Sequence, residues 1–135
     1  MQSLHSTVET KLAVAPQAIT TDTTTTGEII DLANAEAVEV SLILGTVTDG
    51  DYEVQVFESD DSGMSGEVEI TDTNRIMGND LSAAVTGVTD AVSSWGIVKS
   101  LRHVRVKIVS TSTTSGALAS VVVNLGKLRG SLASD

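Results

Sequence analysis

The chain has 135 residues, a formal net charge of −10 and no cysteine. That length suits one domain with a core that needs no staples, and the lack of cysteine removes disulfides, thiolate catalysis and cysteine-based zinc sites. No run of about 18 apolar residues marks a membrane helix, and Met1 to Pro16 lacks the basic start and continuous apolar stretch of a signal peptide.

Residues 1–26 read as an extended arm. Leu12, Val14 and Ile19 are scattered, and Thr20 to Thr26 is almost all threonine, a β-branched residue that favours extended backbone. Two readings stand for it: a disordered terminus, or an arm laid on a neighbouring subunit. Gly27 to Leu32 reads as a first strand, followed by a turn at Asn34. Ala37 to Leu44 is a clearer strand, because Val38, Val40, Leu42 and Leu44 fall on one face while Glu39, Ser41 and Ile43 fall on the other.

Asp49-Gly50 carries the turn chemistry of a β-hairpin. Tyr52 to Glu58 follows, with Tyr52, Val54 and Val56 on one face and Glu53, Gln55 and Phe57 on the other. The alternation places one of the two aromatics, Tyr52 or Phe57, in the core. Ser59 to Gly66 is a polar loop, Val68 and Ile70 mark a brief strand, and Asp72-Thr73-Asn74 marks a turn. For residues 75–96 two readings are open: a short helix through Ala83, Ala84, Val88, Ala91 and Val92, or a loop with a short strand at Ile76-Met77. Trp95 reads as a packing anchor at the entry to the next strand.

Ile97 to Val109 is the longest strand candidate. Arg102, Val104, Val106 and Ile108 share one face, and Leu101, His103, Arg105, Lys107 and Val109 share the other. A serine- and threonine-rich turn over Ser110 to Gly116 leads into a last strand, Ala117 to Leu125, and a short tail over residues 131–135. Short alternating strands separated by Gly and Asp turns predict an all-β fold. The expected form is an antiparallel β-sandwich, jelly-roll or Ig-like, spanning residues 27–130 behind the extended N-terminal arm.

Charge is segregated. Residues 1–98 hold 17 acids against Lys11 and Arg75, whereas residues 99–135 hold six bases against Asp135. The first reading of the basic segment is ordinary pairing with acidic neighbours in the same sheet; the second is a dedicated binding face. Without interleaved aromatics the segment does not form a stacking platform for single-stranded nucleic acid, and the acidic balance disfavours phosphate binding overall.

Catalytic machinery is not legible. The two histidines are His5, in the arm, and His103, which reads as a surface or interface residue. There is no Gly-x-Ser-x-Gly elbow and no phosphate-binding glycine loop. The acids Asp49, Asp51, Glu58, Asp60 and Asp61 flank the central strand but lack EF-hand spacing and the aromatic neighbours that stack on sugars. A solvated acidic loop is their first reading, a bound divalent cation the second and catalysis the last. The expectation is a protein that is not an enzyme, with no cofactor, no metal and no nucleic-acid or membrane partner.

Several stretches carry a resemblance. Gly27-Glu28-Ile29-Ile30-Asp31, Leu44 through Tyr52, Phe57 through Ser65, Arg102-His103-Val104-Arg105-Val106, Ser112 through Ala117 and Val123 through Arg129 together resemble a family of small structural proteins from tailed-phage and prophage head modules. The last two stretches resemble that family's closing hairpin and tail. Two departures are visible: His103 stands where an aromatic is usual, and Lys127-Leu128 replaces a proline-containing tail. The resemblance implies a capsid decoration (cement) protein that binds the major capsid protein on the head surface, assembles in the host cytoplasm and forms a homo-oligomer, with a trimer favoured. Alternatives are a head–tail connector or tail component and, further off, a calcium-dependent carbohydrate-binding module. Candidate capsid or subunit contacts are Leu12, Val14, Ile19, Phe57, Arg102, His103, Arg105 and Lys107.

Overall fold

Strands from the two ends of the chain pair in nested order toward its middle. In a computed structural model that describes residues 7–78, 81 and 84–126, ten strands form. They are β1 (Val8–Ile19), β2 (Thr24–Asp31), β3 (Ala37–Val47), β4 (Asp51–Ser59), β5 (Val68–Glu69), β6 (Ile76–Gly78), β7 (Val85–Thr86), β8 (Ala91–Ile97), β9 (His103–Thr111) and β10 (Ala117–Gly126). β1 pairs with β10, β2 with β9, β3 with β8 and β4 with β7, all antiparallel. The paired ribbon then rolls up. β3 adds to the free side of β10, and β4 to the free side of β9.

Two sheets result. Sheet A has the order β1-β10-β3-β8-β6, and sheet B has the order β2-β9-β4-β5 with β7 also on β4. Only β4 and β5 are both consecutive and paired; every other connection between successive strands passes from one sheet to the other. This is the jelly-roll form of the antiparallel sandwich, which decides between the two forms the sequence left open.

Alternation builds the core. Val38, Val40, Leu42 and Leu44 of β3 meet Val121, Val123 and Leu125 of β10, facing Tyr52, Val54 and Val56 of β4 and Val104, Val106 and Ile108 of β9. Each such aliphatic, taken fully out of water, contributes about 1.5–3 kcal/mol. Tyr52 is the aromatic that goes inside, its hydroxyl donating to the Asp49 carbonyl at 2.8 Å. Trp95 is also buried, but in the body of β8 opposite Val40 rather than at a strand entry.

Several expectations are corrected. Residues 8–26 do not stand off as an arm. β1 is the edge strand of sheet A, with Ala13, Val14 and Ile19 in the core. Register shifts between Leu12 and Val14 and between Val14 and Gln17 scramble the period-two pattern by which a strand is read. The threonine run is likewise tied down. Ser110 Oγ donates to the Thr21 carbonyl at 2.8 Å, and Thr24–Thr26 lies within β2. Asp49-Gly50 is not a hairpin but a crossover from sheet A to sheet B, since a turn residue with positive φ serves either connection. The Ile97–Val109 strand is two strands, because Ile97 ends β8 and β9 begins at His103. Nor do β9 and β10 form a closing hairpin, as they lie in different sheets. The helix reading of 83–92 gives way to β7 and the start of β8. Residues 1–6, Ala83 and the tail 131–135 lie outside the described residues.

Candidate functional site

The acidic cluster read from sequence does not come together as a site. Each of four acids is engaged by a different part of the chain. The Asp49 carboxylate accepts the N–H groups of Thr114, Ser115 and Gly116 at 2.8–3.1 Å, which ties the β3–β4 crossover to the β9–β10 crossover. Those three donors, Thr114 first, hold the Asp49 carboxyl below its usual range. Asp51 accepts from the Thr86 hydroxyl at 2.7 Å, linking β4 to β7. Asp61 accepts from the N–H groups of Gly63 and Ser65 and so shapes the 59–66 loop. Glu58 points into the end of the sandwich and receives Arg75. Among the described residues, no group of three or more His, Asp or Glu side chains is placed to hold a metal ion.

Among the described residues of the basic segment, Arg102, Arg105 and Lys107 are paired with acids of the same chain. Arg105 and Lys107 both reach the Glu67 carboxylate, at 3.3 and 2.7 Å. The Lys107 ammonium also sits 4.1 Å from the centroid of the Phe57 ring, a favourable cation–π position. Arg102, just before β9, forks onto Asp31 of β2, with both contacts at 3.0 Å. That fork, with help from the Ala33 N–H, lowers the Asp31 carboxyl from 3.8 to about 2. Lys99 donates to the Leu32 carbonyl at 2.9 Å.

The candidate contact residues therefore scatter. Val14 and Ile19 are core residues and are withdrawn as contacts; a partner cannot reach them without unfolding the edge of sheet A. His103, read as a surface or interface residue, is only 7% exposed. Phe57 is half-buried beside Lys107, on the outer face of sheet B. Leu12 alone of the aliphatic candidates is open to solvent, on the outer face of sheet A opposite Val122.

Around Leu12 the structure assembles a surface that the sequence reading did not single out. Of the residues that alternation turns outward on the five strands of sheet A, Glu39 alone is charged. The rest are small or aliphatic, apart from the polar pair Thr10 and Asn124. Leu12 lies beside Val122, then Ser41 and Ser94 in the same row; Ser120, Ile43 and Val92 form the next. Leu12, Ile43, Met77, Val92 and Leu118 on this face make up five of the eight large exposed aliphatics among the described residues. The outer face of sheet B differs, with Asp31, Asp51, Glu53, Glu69, Arg105 and Lys107 at outward positions. One clue was visible in the sequence: Ile43 falls on the polar side of an otherwise regular strand.

The polar atoms of the sheet A face are already satisfied inside the chain. Ser41 and Ser94 share a hydrogen bond at 2.9 Å, Ser120 donates to the Val14 carbonyl at 2.9 Å, and Thr10 donates to Asn124 at 2.9 Å. Each of these hydroxyl oxygens thus has a partner inside the chain, which lowers the penalty for burying a polar group. The charge that covering the face would enclose is the Glu39 carboxylate, which accepts from the Asn124 amide at 3.2 Å.

No family model and no curated protein matches this chain. Solved structures do. The PBSX exported protein XepA superposes on 90% of this chain with a TM-score of 0.59 at 12% identity. A protein in the structure of infectious bursal disease virus, Gx strain, superposes on 91% with a TM-score of 0.51 at 14% identity. The SPBc2 prophage-derived protein YomS gives a TM-score of 0.45 at 11% identity over 87% of this chain. The chain spans 38% of the XepA chain and 34% of the viral chain. At these identities, what it shares with those two proteins is the fold.

Proposed function

We propose that this chain is a non-enzymatic structural component of a phage particle, a decoration (cement) protein that binds the head shell through the major capsid protein and stabilises it. The observation that carries the reading is the aliphatic face of sheet A, with Glu39 its single outward charge, on a chain of net charge −10. A monomeric soluble domain rarely leaves such a face open, and a large exposed apolar patch marks association. The fold shared with the PBSX exported protein XepA and with a protein of infectious bursal disease virus supports the same reading, as does the resemblance of the turn and strand motifs to phage head proteins.

The mechanism is adhesive. A protein that binds the assembled shell and not its free subunits stabilises the shell by mass action. The acidic remainder suits the outer surface of a head, away from packaged DNA, where phosphate would repel it.

The test is to add purified protein to shells of its phage that lack it, count bound copies by imaging and measure the temperature at which the shells open. Many copies per shell and a higher opening temperature are expected. No binding to intact shells would overturn the reading. So would a few copies at one vertex in six- or twelve-fold arrangement, the mark of a head–tail connector, or sugar binding abolished by a calcium chelator.

A further inference from the structure

We infer that the outer face of sheet A is a self-association surface, on which a second copy of this chain docks face to face about a two-fold axis. This rests on the reading of the sheet A face as an association surface; in the pair the second copy covers that face, and the shell is met by the remaining surfaces of the two chains.

Charge points to a second copy. At net charge −10, two copies repel through most of their surfaces, and sheet A offers a broad face whose outward positions carry a single charge, Glu39. Stacked sheets pack about 10 Å apart. In a B–A–A–B stack the two charged B sheets then lie about 30 Å from each other, well beyond the ~10 Å Debye length at 0.1 M salt. Face-to-face packing through sheet A is thus the arrangement in which two identical acidic chains repel least.

Shape and size agree. Leu118 lies over Gly45 and Met77 over Gly96, so close that a methyl group on either glycine would meet them at 3.3 and 3.2 Å. These side chains fill the gaps that the glycines leave and level the surface. An aliphatic pair stands on each side of the serine centre: Leu12 with Val122, and Ile43 with Val92. A two-fold axis through the serines sets each pair against the other pair of the facing copy, which is the self-complementarity that an isologous contact requires. Four strands about seven residues long, with the three-residue β6 beside them, present a face on the order of 490 Å² in projection, toward which alternate residues point. Accessible area exceeds projection, so the face approaches the ~800 Å² per partner of a standard stable interface.

The test is mass by light scattering across micromolar to millimolar protein, at low and high salt. The expected mass is about 28 kDa, twice the 14.0 kDa of the chain. High salt should strengthen the pair, since it screens net repulsion. Val92→Asp and Ile43→Lys should each raise the dissociation constant at least about tenfold by burying an unpaired charge. Val68→Asp, at an equally open valine on β5 of sheet B, should leave it unchanged. Circular dichroism confirms that each variant folds.

Because the chain has no cysteine, Ile43→Cys and Gln55→Cys give a second readout that needs no disruptive charge. A short bis-maleimide should join copies through position 43 and not through position 55. Two results overturn the inference: a monomer at every concentration, or equal cross-linking at both positions. A mass of about 42 kDa, the trimer that the resemblance implies, also overturns the two-fold pair. A monomer whose shell binding is lost in Val92→Asp defeats this inference and leaves the proposed function standing. A pair that ignores shells does the reverse.

Discussion

The carboxylate of Glu58 on β4 receives both terminal nitrogens of the Arg75 guanidinium, each at 2.8 Å, at one end of the sandwich. Glu58 is 6% exposed and also accepts from the N–H groups of Ser100 and Leu101. Arg75 in turn donates to the Val98 carbonyl, so a single ion pair holds sheet B to the connection between β8 and β9. Glu58→Ala leaves the guanidinium half-buried and two N–H groups unpaired. It should cost about 3 kcal/mol, read as a shift in the urea midpoint by the fluorescence of Trp95. The double variant Glu58→Met with Arg75→Met should recover most of that loss, because the destabilising element is the orphaned charge. A loss below about 1 kcal/mol in Glu58→Ala would show that the pair is not structural.

Deleting residues 1–20 should abolish folding rather than release a dispensable arm. The deletion strips β10 of its outer partner and removes Ala13, Val14 and Ile19 from the core. A domain holds only about 5–15 kcal/mol in total, and Ile19→Ala alone should cost about 2–4 kcal/mol. Circular dichroism of the truncated chain gives the answer. A native strand spectrum with an unchanged melting temperature would return β1 to the status of an arm.

What could be read from the sequence follows from what a two-residue period encodes. Regular strands with one dry face, such as 38–44, 52–58 and 104–108, declare both their existence and their inner residues, because one slip would turn every apolar side chain to water. β1 hides because its register shifts, Pro16, Lys11 and Gln17 break that period. Connections are less legible than strands. Asp49-Gly50 has the φ preference of a hairpin turn, yet whether the chain then folds back or crosses to the other sheet depends on which strand reaches β3 first. That is β10, some 70 residues later in sequence. Long-range pairing of this kind leaves no local mark. For the same reason the sheet A face is hard to read from the sequence: Leu12, Ile43, Val92 and Leu118 share a face only once the ribbon has rolled up.

At Gly116 the start of β10 runs close against the end of β1. This glycine has φ +85, and a methyl group there would collide with the Ile19 carbonyl oxygen at the end of β1. Gly116→Ala should therefore cost at least about 2 kcal/mol, combining strain at positive φ with displacement of an edge strand. Gly66 is the control. It has φ +67 and open space around it, so Gly66→Ala should cost only about 1 kcal/mol. Equal losses at the two positions would mean that backbone conformation alone matters and that the β1 contact carries no weight.

Acid should unfold the protein over a window set by four carboxyls with lowered pKa. Asp31 falls from 3.8 to about 2 through its hydrogen bond with Arg102. Asp22 is lowered by Thr113 and Asp49 by the Thr114, Gly116 and Ser115 N–H groups. Burial works against ionisation of Glu58, but Arg75 and the Leu101 and Ser100 N–H groups outweigh it and hold its carboxyl below 4.5. In each case the unfolded chain binds the proton more readily than the folded one. The stability these groups contribute is complete above their ordinary range and lost as pH falls through the folded values. The urea midpoint should therefore stay level from about pH 7 to 5 with respect to these groups and drop between about pH 4 and 2. Asp22, Asp31 and Asp49 are open to salt, so at 1 M salt their share should shrink, while the enclosed Glu58 pair persists. Arg102→Met should return the Asp31 carboxyl toward 3.8 in an NMR titration and remove its part of the acid slope. A midpoint that stays level down to pH 2, or that rises on acidification, would contradict the assignment of these carboxylates as fastenings of the fold.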